Sequence, residues 1–459
     1  MPDSRPTNVR WLIVAMLIGL VFLAHFNRIA ISVAGSERFI GHGLSEEQMG
    51  RVYFAFLVVY TIGMLPGGWL IDRLGPRWAL TSMGVGFGIC AALTGVLGAA
   101  GLAVAGLYMP LLVIRGVAGL SSVTLHPGAA RGVSLWFPLS GRSFANGLVT
   151  AGALVGIAVT YPGFGWLLDK LDWPLAFVVA GAALFLMGLV WWALAADDPA
   201  GHRWANDAER DLVAAEGRVP PRSGPTSHDV FALFGNRSLV LLTLSYGAYS
   251  YVQYLYFYWI EYYFKNTLGL PGESSRAAAF TITMAMAVGM AAGGWGADRL
   301  CRRLGHAIGR RLVAVVGMGL CAVFSLLGVR TTDPQQIVWC FSLAFGVLGA
   351  CEAIFWTTAA GLEPRNGGLA CALLNTGGNG VGMLAPLLTP VIGNAFGWQA
   401  AIVVACAVSA VGGALWFGID PEGKAGQIDP QDRADYGESE PPSTPASFPP
   451  SADPSSRTG

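Results

Sequence analysis

Gly67-Gly68-Trp69-Leu70-Ile71-Asp72-Arg73-Leu74-Gly75-Pro76-Arg77 recurs as Gly293-Gly294-Trp295-Gly296-Ala297-Asp298-Arg299-Leu300-Cys301-Arg302-Arg303, with seven of eleven positions identical after a shift of 226 residues. Each copy closes the second apolar run of its half of the chain. A second echo, at a shift of 230, pairs Gly116-Val117-Ala118-Gly119 with Gly346-Val347-Leu348-Gly349 in the fourth run of each half. The chain therefore reads as one helical unit used twice in the same direction.

What lies between these markers is apolar. Hydrophobic residues make up 54% and charged residues 12% of the 459, with a mean hydropathy of +0.53. Soluble chains carry about a quarter charged residues, so this composition cannot clothe a water-facing surface. Runs of roughly twenty apolar residues have the length that crosses a hydrocarbon core of about 30 Å. They predict twelve helices near residues 11–34, 49–71, 78–100, 107–130, 144–168, 174–195, 238–264, 277–298, 311–329, 336–361, 369–393 and 398–418. The fold class is thus an all-α membrane protein with twelve transmembrane helices in two six-helix pseudo-symmetric halves. One polar insert splits them, giving an N-terminal half over 1–195, a cytoplasmic linker over 196–236, a C-terminal half over 237–418 and a tail over 419–459. The tail is acidic and rich in Pro and Ser, cannot bury enough apolar surface to offset its ordering entropy, and is expected to be disordered.

Charge sets the orientation. Of the 28 Lys and Arg, Arg28 and Arg115 fall inside spans, and six (Arg38, Arg51, Lys170, Lys265, Arg276, Arg330) fall on the loops opposite the termini. The other twenty share the side of the termini, and cationic loops are retained in the cytoplasm, so both termini are expected there in a multi-pass plasma membrane protein, the inner membrane in a bacterium. The first run is an uncleaved helix rather than a signal peptide, since Arg28 interrupts it and further spans follow.

Several classes drop out. Acidic residues also number 28, and no basic stripe interleaved with aromatics points to nucleic acid. The seven cysteines lie mostly within apolar runs without C-x-x-C spacing and read as small buried hydrophobes. Gly377, Gly378, Gly380 and Gly382 lack the Lys-Ser/Thr end of a phosphate loop and read as helix-packing positions. No nucleophile with a base, metal cluster or nucleotide loop is legible, so no enzyme, metal or cofactor is expected.

The polar groups inside spans carry the functional signal. A charged residue there costs several kcal/mol and needs a partner or a wet cavity. Arg115, Gly119, Ser122 and His126 share one stripe of the fourth helix, and His25, Arg28 and Ser32 share one of the first. Both stripes should face a central cavity, where two guanidiniums would receive a carboxylate through paired donors. Pairing of either arginine with carbonyls of a neighbouring helix is the competing reading. In the seventh helix, Tyr246, Tyr249, Tyr251, Gln253, Tyr254, Tyr256, Tyr258 and Trp259 form an aromatic run suited to sugar faces or to an interfacial belt.

The glycine-Asp-Arg stretch resembles the signature loop between helices two and three of the major facilitator superfamily. Its glycines permit close helix contact, while Asp72, Arg73 and Arg77, with Asp298, Arg299 and Arg303 in the repeat, can form charge clusters that gate the inner face. Within that superfamily the chain is similar to the anion:cation symporter branch, which includes carriers of sugar acids. The likeness spans about residues 10 to 418 and rests on His25-x-Asn27-Arg28-x3-Ser32, Tyr60, Arg115, Trp136-Phe137-Pro138 and Asn375. It implies alternating access around Arg28 and Arg115, with Tyr60, Asn375, His25, Ser122, Trp356 and Tyr254 as further substrate-binding residues. The implied partners are a small organic anion, a proton or other coupling ion, and the bilayer around a monomer.

Two positions depart from the pattern. Proton-driven members of the branch place an aspartate before the first-helix arginine and a glutamate seven residues after the fourth-helix one, where this chain has Asn27 and Ser122. Neither titrates, so His126 stands as the best-placed coupling group with His25 second, and Glu352 and Glu261 as further candidates. Two rivals remain. An efflux antiporter of drugs or metabolites is disfavoured because the fifth helix lacks a Gly-Pro-x-x-Gly-Gly element. A non-transporting solute sensor would bind without exchanging its ligand across the membrane.

Overall fold

The computed structural model describes residues 5–214, 233–363 and 367–421, the side chains at 65, 68, 69, 72 and 139 excepted; the expected disordered tail from 422 on and the middle of the linker lie outside the described residues, while Ile419, read as the start of the tail, packs onto the C-terminal half. In the N-terminal half, α1 (Val9–Ala34) runs on through a π-turn, and α2 (Glu46–Ala99) follows. At 1.5 Å per residue a 54-residue helix would span roughly 80 Å. It does not, because the chain folds back on itself at Gly75, where φ is 77°. Helix α5 (Leu139–Leu194) doubles back in the same way at Asp172, φ 58°. Between them, α3 (Tyr108–Ser122) and α4 (Leu125–Trp136) make one crossing, broken where Pro127 has no N–H to offer the Val123 carbonyl.

A short helix, α6 (Asp207–Ala214), lies in the linker. The C-terminal half repeats the plan with α7 (Arg237–Tyr262), α8 (Gly272–Leu304) and α9 (His306–Arg330). Its fourth crossing is α10 (Pro334–Gly349) with α11 (Glu352–Leu362), its fifth α12 (Gly367–Gly382) with α13 (Leu384–Phe396), and its sixth α14 (Trp398–Leu415). Among the described residues, eight stretches are long and apolar enough to cross a bilayer, and one of these, Ser140–Leu194, holds two crossings. The first leg of α2, α7, and α12 with α13 complete the twelve.

Lipid is the solvent for the outer surface. On α3, Met109 and Val113 are each 66% exposed and Leu120 59%, while Arg115 and Ser122 on the opposite face are 4% exposed. Polar inside and apolar outside reverses the pattern of a water-soluble helix. The internal repeat governs packing as well as sequence. A Cβ on Gly119 would collide with the Phe56 carbonyl, and one on Gly349 with the Met286 carbonyl, 230 residues on at both ends of the contact. Gly305, with φ 84°, turns the chain between α8 and α9 as Gly75 does within α2. Asp298 precedes that turn by seven residues and Asp72 precedes its own by three, so α8 runs about one turn further.

The first part of the segment read as linker is built onto the N-terminal half. Asp197 Oδ1 accepts the Arg77 N–H at 2.8 Å, capping the second leg of α2, and a Cβ on Gly75 would stand only 2.7 Å from it. The Trp136 indole donates to the Ala196 carbonyl at 3.0 Å. Glu209, buried on α6, accepts from the Thr7 hydroxyl and, at 3.1 Å each, from the N–H groups of Val9 and Arg10, completing the start of α1 from outside. Burial by itself would raise the Glu209 pKa. The Thr7 and backbone hydrogen bonds and the Arg10 guanidinium outweigh it and hold the carboxyl below its usual value.

The two halves meet along a seam whose far end, opposite the termini, is cross-braced. Arg276 at the start of α8, 8% exposed, donates to Asp169 at 2.8 Å and lies 3.2 Å from Glu37, which follows α1. Lys265 stands 4.0 Å from the same Glu37, Tyr262 donates to Glu46 at 2.8 Å, and Ser36 bonds Glu261. At the terminal face the bonds named so far stay within one half, as do those from Arg311 to the carbonyls of Trp416 and Ile419.

Candidate functional site

Arg28 stands where the seam meets mid-membrane, on a helix packed between its own half and α7. Its Nε donates to the Tyr258 hydroxyl at 3.2 Å, and its guanidinium carbon lies 5.3 to 5.5 Å from the ring centroids of Phe56, Tyr60 and Tyr254. Three aromatic faces and one hydroxyl thus hold the charge in place without neutralising it. Nη2 is buried and has no hydrogen-bond partner. A buried charged donor left unpaired is costly, and a ligand oxygen placed against it would recover that cost.

On the N-terminal side Arg28 opens onto a small hollow, with room for about one water molecule, lined by His25, Phe56, Tyr60, Ser122, Leu125 and His126, with Ala24 and Phe87. The His25 and His126 rings meet edge to face, 5.1 Å between centroids. The Ser122 hydroxyl donates back to the Ala118 carbonyl at 2.8 Å. Five residues nominated from the sequence, His25, Arg28, Tyr60, Ser122 and His126, are thus gathered around one space.

Arg115 is placed differently from the expectation of two guanidiniums sharing one cavity. Its Nη2 donates to the Arg28 carbonyl at 3.1 Å, its guanidinium rests 4.6 Å from the Phe56 centroid, and it lines a second hollow behind α1 with Asn27, Cys90, Thr94 and Phe177. Both arginines use the Phe56 ring, but they open onto separate spaces. Its Nε, like Arg28 Nη2, is buried without a partner.

The C-terminal half brings a chain of neutral polar groups. Tyr254, whose ring faces Arg28, donates to Asn379, and Asn379 donates to the carbonyl and side chain of Asn375 at 2.8 and 2.9 Å. Glu352 accepts from Tyr246 at 2.9 Å and Trp356 at 2.8 Å through one oxygen; its other oxygen is buried and unpartnered. Glu261 stands apart, at the far-end brace with Ser36.

Of the expected gate, Arg77 donates to the Trp192 carbonyl at 2.7 and 3.0 Å, within its own half. Arg73, Asp298 and Arg299 are exposed at the terminal face, Arg299 against the Trp295 ring; the Asp72 side chain lies outside the described residues. Sequence reasoning missed Phe56, Asn379 and the Glu37–Arg276 brace. Two had a legible signal: Phe56 precedes Tyr60, and Asn375 precedes Asn379, by four residues on one helical face.

Two repeated helical halves with a charged, aromatic-walled seam at mid-membrane define a membrane carrier. A family model described as Major Facilitator Superfamily matches residues 17–362 and 300–450, and the chain belongs to that family. It is a multi-pass membrane transporter, not an enzyme. It is 26% identical to the D-galactonate transporter of Escherichia coli O6:H1 over 89% of this chain and 95% of that one. It is 28% identical to the probable sulfoacetate transporter SauU of Cupriavidus necator over 83% and 86%. In fold it is similar to a bacterial homolog of the human lysosomal transporter Spinster in an inward-facing, unoccupied conformation, with a TM-score of 0.74 and 17% identity over 93% of this chain and all of that one.

Proposed function

We propose that this protein is a secondary active transporter that moves a small organic anion, a sugar acid or another small acid, by alternating access, in symport with protons. The observation that carries this reading is Arg28: a guanidinium at the seam, held by aromatic faces, with a buried donor free for an acid group. The named relatives are described as a transporter of D-galactonate and a probable transporter of sulfoacetate, both small molecules that carry an acid group.

In this reading Arg28 takes the acid group from one half. Tyr254, Asn375 and Trp356 from the other half, with Tyr60, His25 and Ser122, surround the remaining polar atoms. Arg115 buttresses Arg28 through its carbonyl and the shared Phe56 ring. With both termini in the cytoplasm, the braced far end is the outer gate and this conformation faces inward. Asp72, Arg73, Arg77, Asp298 and Arg299 then act at the inner face when the halves rock the other way. The carrier works as a monomer in the inner membrane.

The test is counterflow in liposomes. Purified protein preloaded with unlabelled D-galactonate or sulfoacetate should accumulate the labelled acid transiently, and Arg28→Ala should not. Binding of either acid without exchange would instead mark a sensor, and normal exchange by Arg28→Ala would refute the assigned role.

A further inference from the structure

Asn27 and Ser122 carry no proton, so a proton that travels with the anion needs another seat. Glu261 is bonded to Ser36 in the far-end brace, and Glu352 is held by Tyr246 and Trp356 in the other half. The two histidines alone among the titratable candidates share the hollow of Arg28. Resting on the anion-carrier reading, we propose that His25 and His126 form one proton site, a pair that takes up a single proton when the anion settles on Arg28 and gives it up when the anion leaves.

Geometry fixes the tautomer. His25 Nδ1 lies 2.8 Å from the Val21 carbonyl, which only accepts, so Nδ1 carries the hydrogen and Nε2 keeps its lone pair. The His126 ring stands edge to face against His25, and a proton arriving at this pair is held by one imidazole with the other beside it. His25 is buried, whereas His126 retains partial exposure. Helix α4 runs from mid-membrane toward the terminal face, so His126 is the member of the pair nearer the end where the seam is not braced.

The surroundings set the sign of the coupling. Arg28 faces the pair from α1 and Tyr60 from α2; Ser122, from α3, does not titrate, and α5 contributes no titratable side chain to the lining of the hollow. Beyond them, Tyr254 and Tyr258 of α7 contact Arg28, while Arg115 and Cys90 belong to the neighbouring hollow. No carboxylate is among the lining residues. With Arg28 uncompensated, a second positive charge on the pair is disfavoured. An acid group on Arg28 offsets that repulsion, so anion and proton each strengthen the other's binding, reciprocally. Nothing is oxidised: a proton from solvent makes one N–H bond at an imidazole lone pair as the anion binds, and that bond breaks when proton and anion depart together.

Calorimetric titration with D-galactonate and with sulfoacetate, in buffers of different ionisation enthalpy near neutral pH, counts the protons taken up on binding. Wild type should take up close to one proton per anion, and its affinity should rise by up to about tenfold for each unit the pH falls. His126→Gln should bring the uptake near zero and flatten the pH dependence; His25→Gln, whose amide keeps a donor toward Val21, should do the same and serves if the first variant fails to fold. Uptake that persists in both variants, or wild-type binding with no proton uptake, overturns the pair as the proton site. Wild type that binds neither acid at any pH overturns the anion reading itself, and the pair with it.

Discussion

The two halves bring different chemistry to the seam although they descend from one repeated plan. At the register of 230, Arg28 of α1 corresponds to Tyr258 of α7, and the two are hydrogen-bonded to each other across the pseudo-symmetric seam. The N-terminal half offers a fixed positive charge and two imidazoles; the C-terminal half offers tyrosines, asparagines and a carboxylate already held by an indole and a phenol. An acid group is best met by charge, while hydroxyls are best met by directional neutral partners. Symmetry therefore supplies the scaffold, and in the proposed function its breaking at equivalent positions supplies different partners for the acid group and for the hydroxyls of a cargo.

Arg28→Gln is the variant that strikes this division hardest. A hydrogen bond to a charged group is worth about 1.5–3 kcal/mol. Losing it should weaken D-galactonate and sulfoacetate alike, on the order of 100-fold by calorimetry. Asn379→Ala should cost about tenfold for D-galactonate, by removing one neutral hydrogen-bond link, and leave sulfoacetate, which has no hydroxyl, nearly untouched. If both acids suffered equally, the assignment of hydroxyl recognition to the C-terminal half would be wrong.

A smaller effect is expected at the far-end brace. Arg276→Ala removes the contacts to Asp169 and Glu37 and should raise hydrogen exchange of residues 35–40 and 263–267 several-fold, since opening there then breaks two ion pairs fewer. The smallest concerns stability alone. Glu209→Gln should lower it by about 1 kcal/mol at neutral pH in thermal unfolding. The folded-state pKa of Glu209 is depressed, so its contribution is complete above the unfolded value and fades as the pH falls through the folded one; wild type and variant should converge in acid.

Much of the fold was legible in the chain. Run lengths placed the crossings, and the repeated Gly-Gly-Trp and Asp-Arg elements marked one plan used twice, because crossing a bilayer and packing two helices closely are local demands on sequence. The breaks at Pro127 and the cap that Glu209 supplies to α1 were not, since the first needs the partner carbonyl and the second joins residues 200 apart. For the candidate site, stripes on single helices nominated Arg28, His25 and His126, the family resemblance nominated Tyr60, and the structure brings the four to one hollow. That Arg115 turns to a backbone carbonyl, and that Lys265 and Arg276 meet Glu37 across the seam, depends on contacts between elements. Periodicity says which face a residue occupies, and not what lies opposite it.

The most direct test of the central claim pits charge against shape. Counterflow of labelled D-galactonate should be suppressed by excess unlabelled sugar acids and sulfoacetate and left unchanged by galactitol, which keeps a hydroxylated chain but has no acid group for Arg28. Equal suppression by the neutral polyol would mean that the guanidinium does not select the cargo, and would contradict the account.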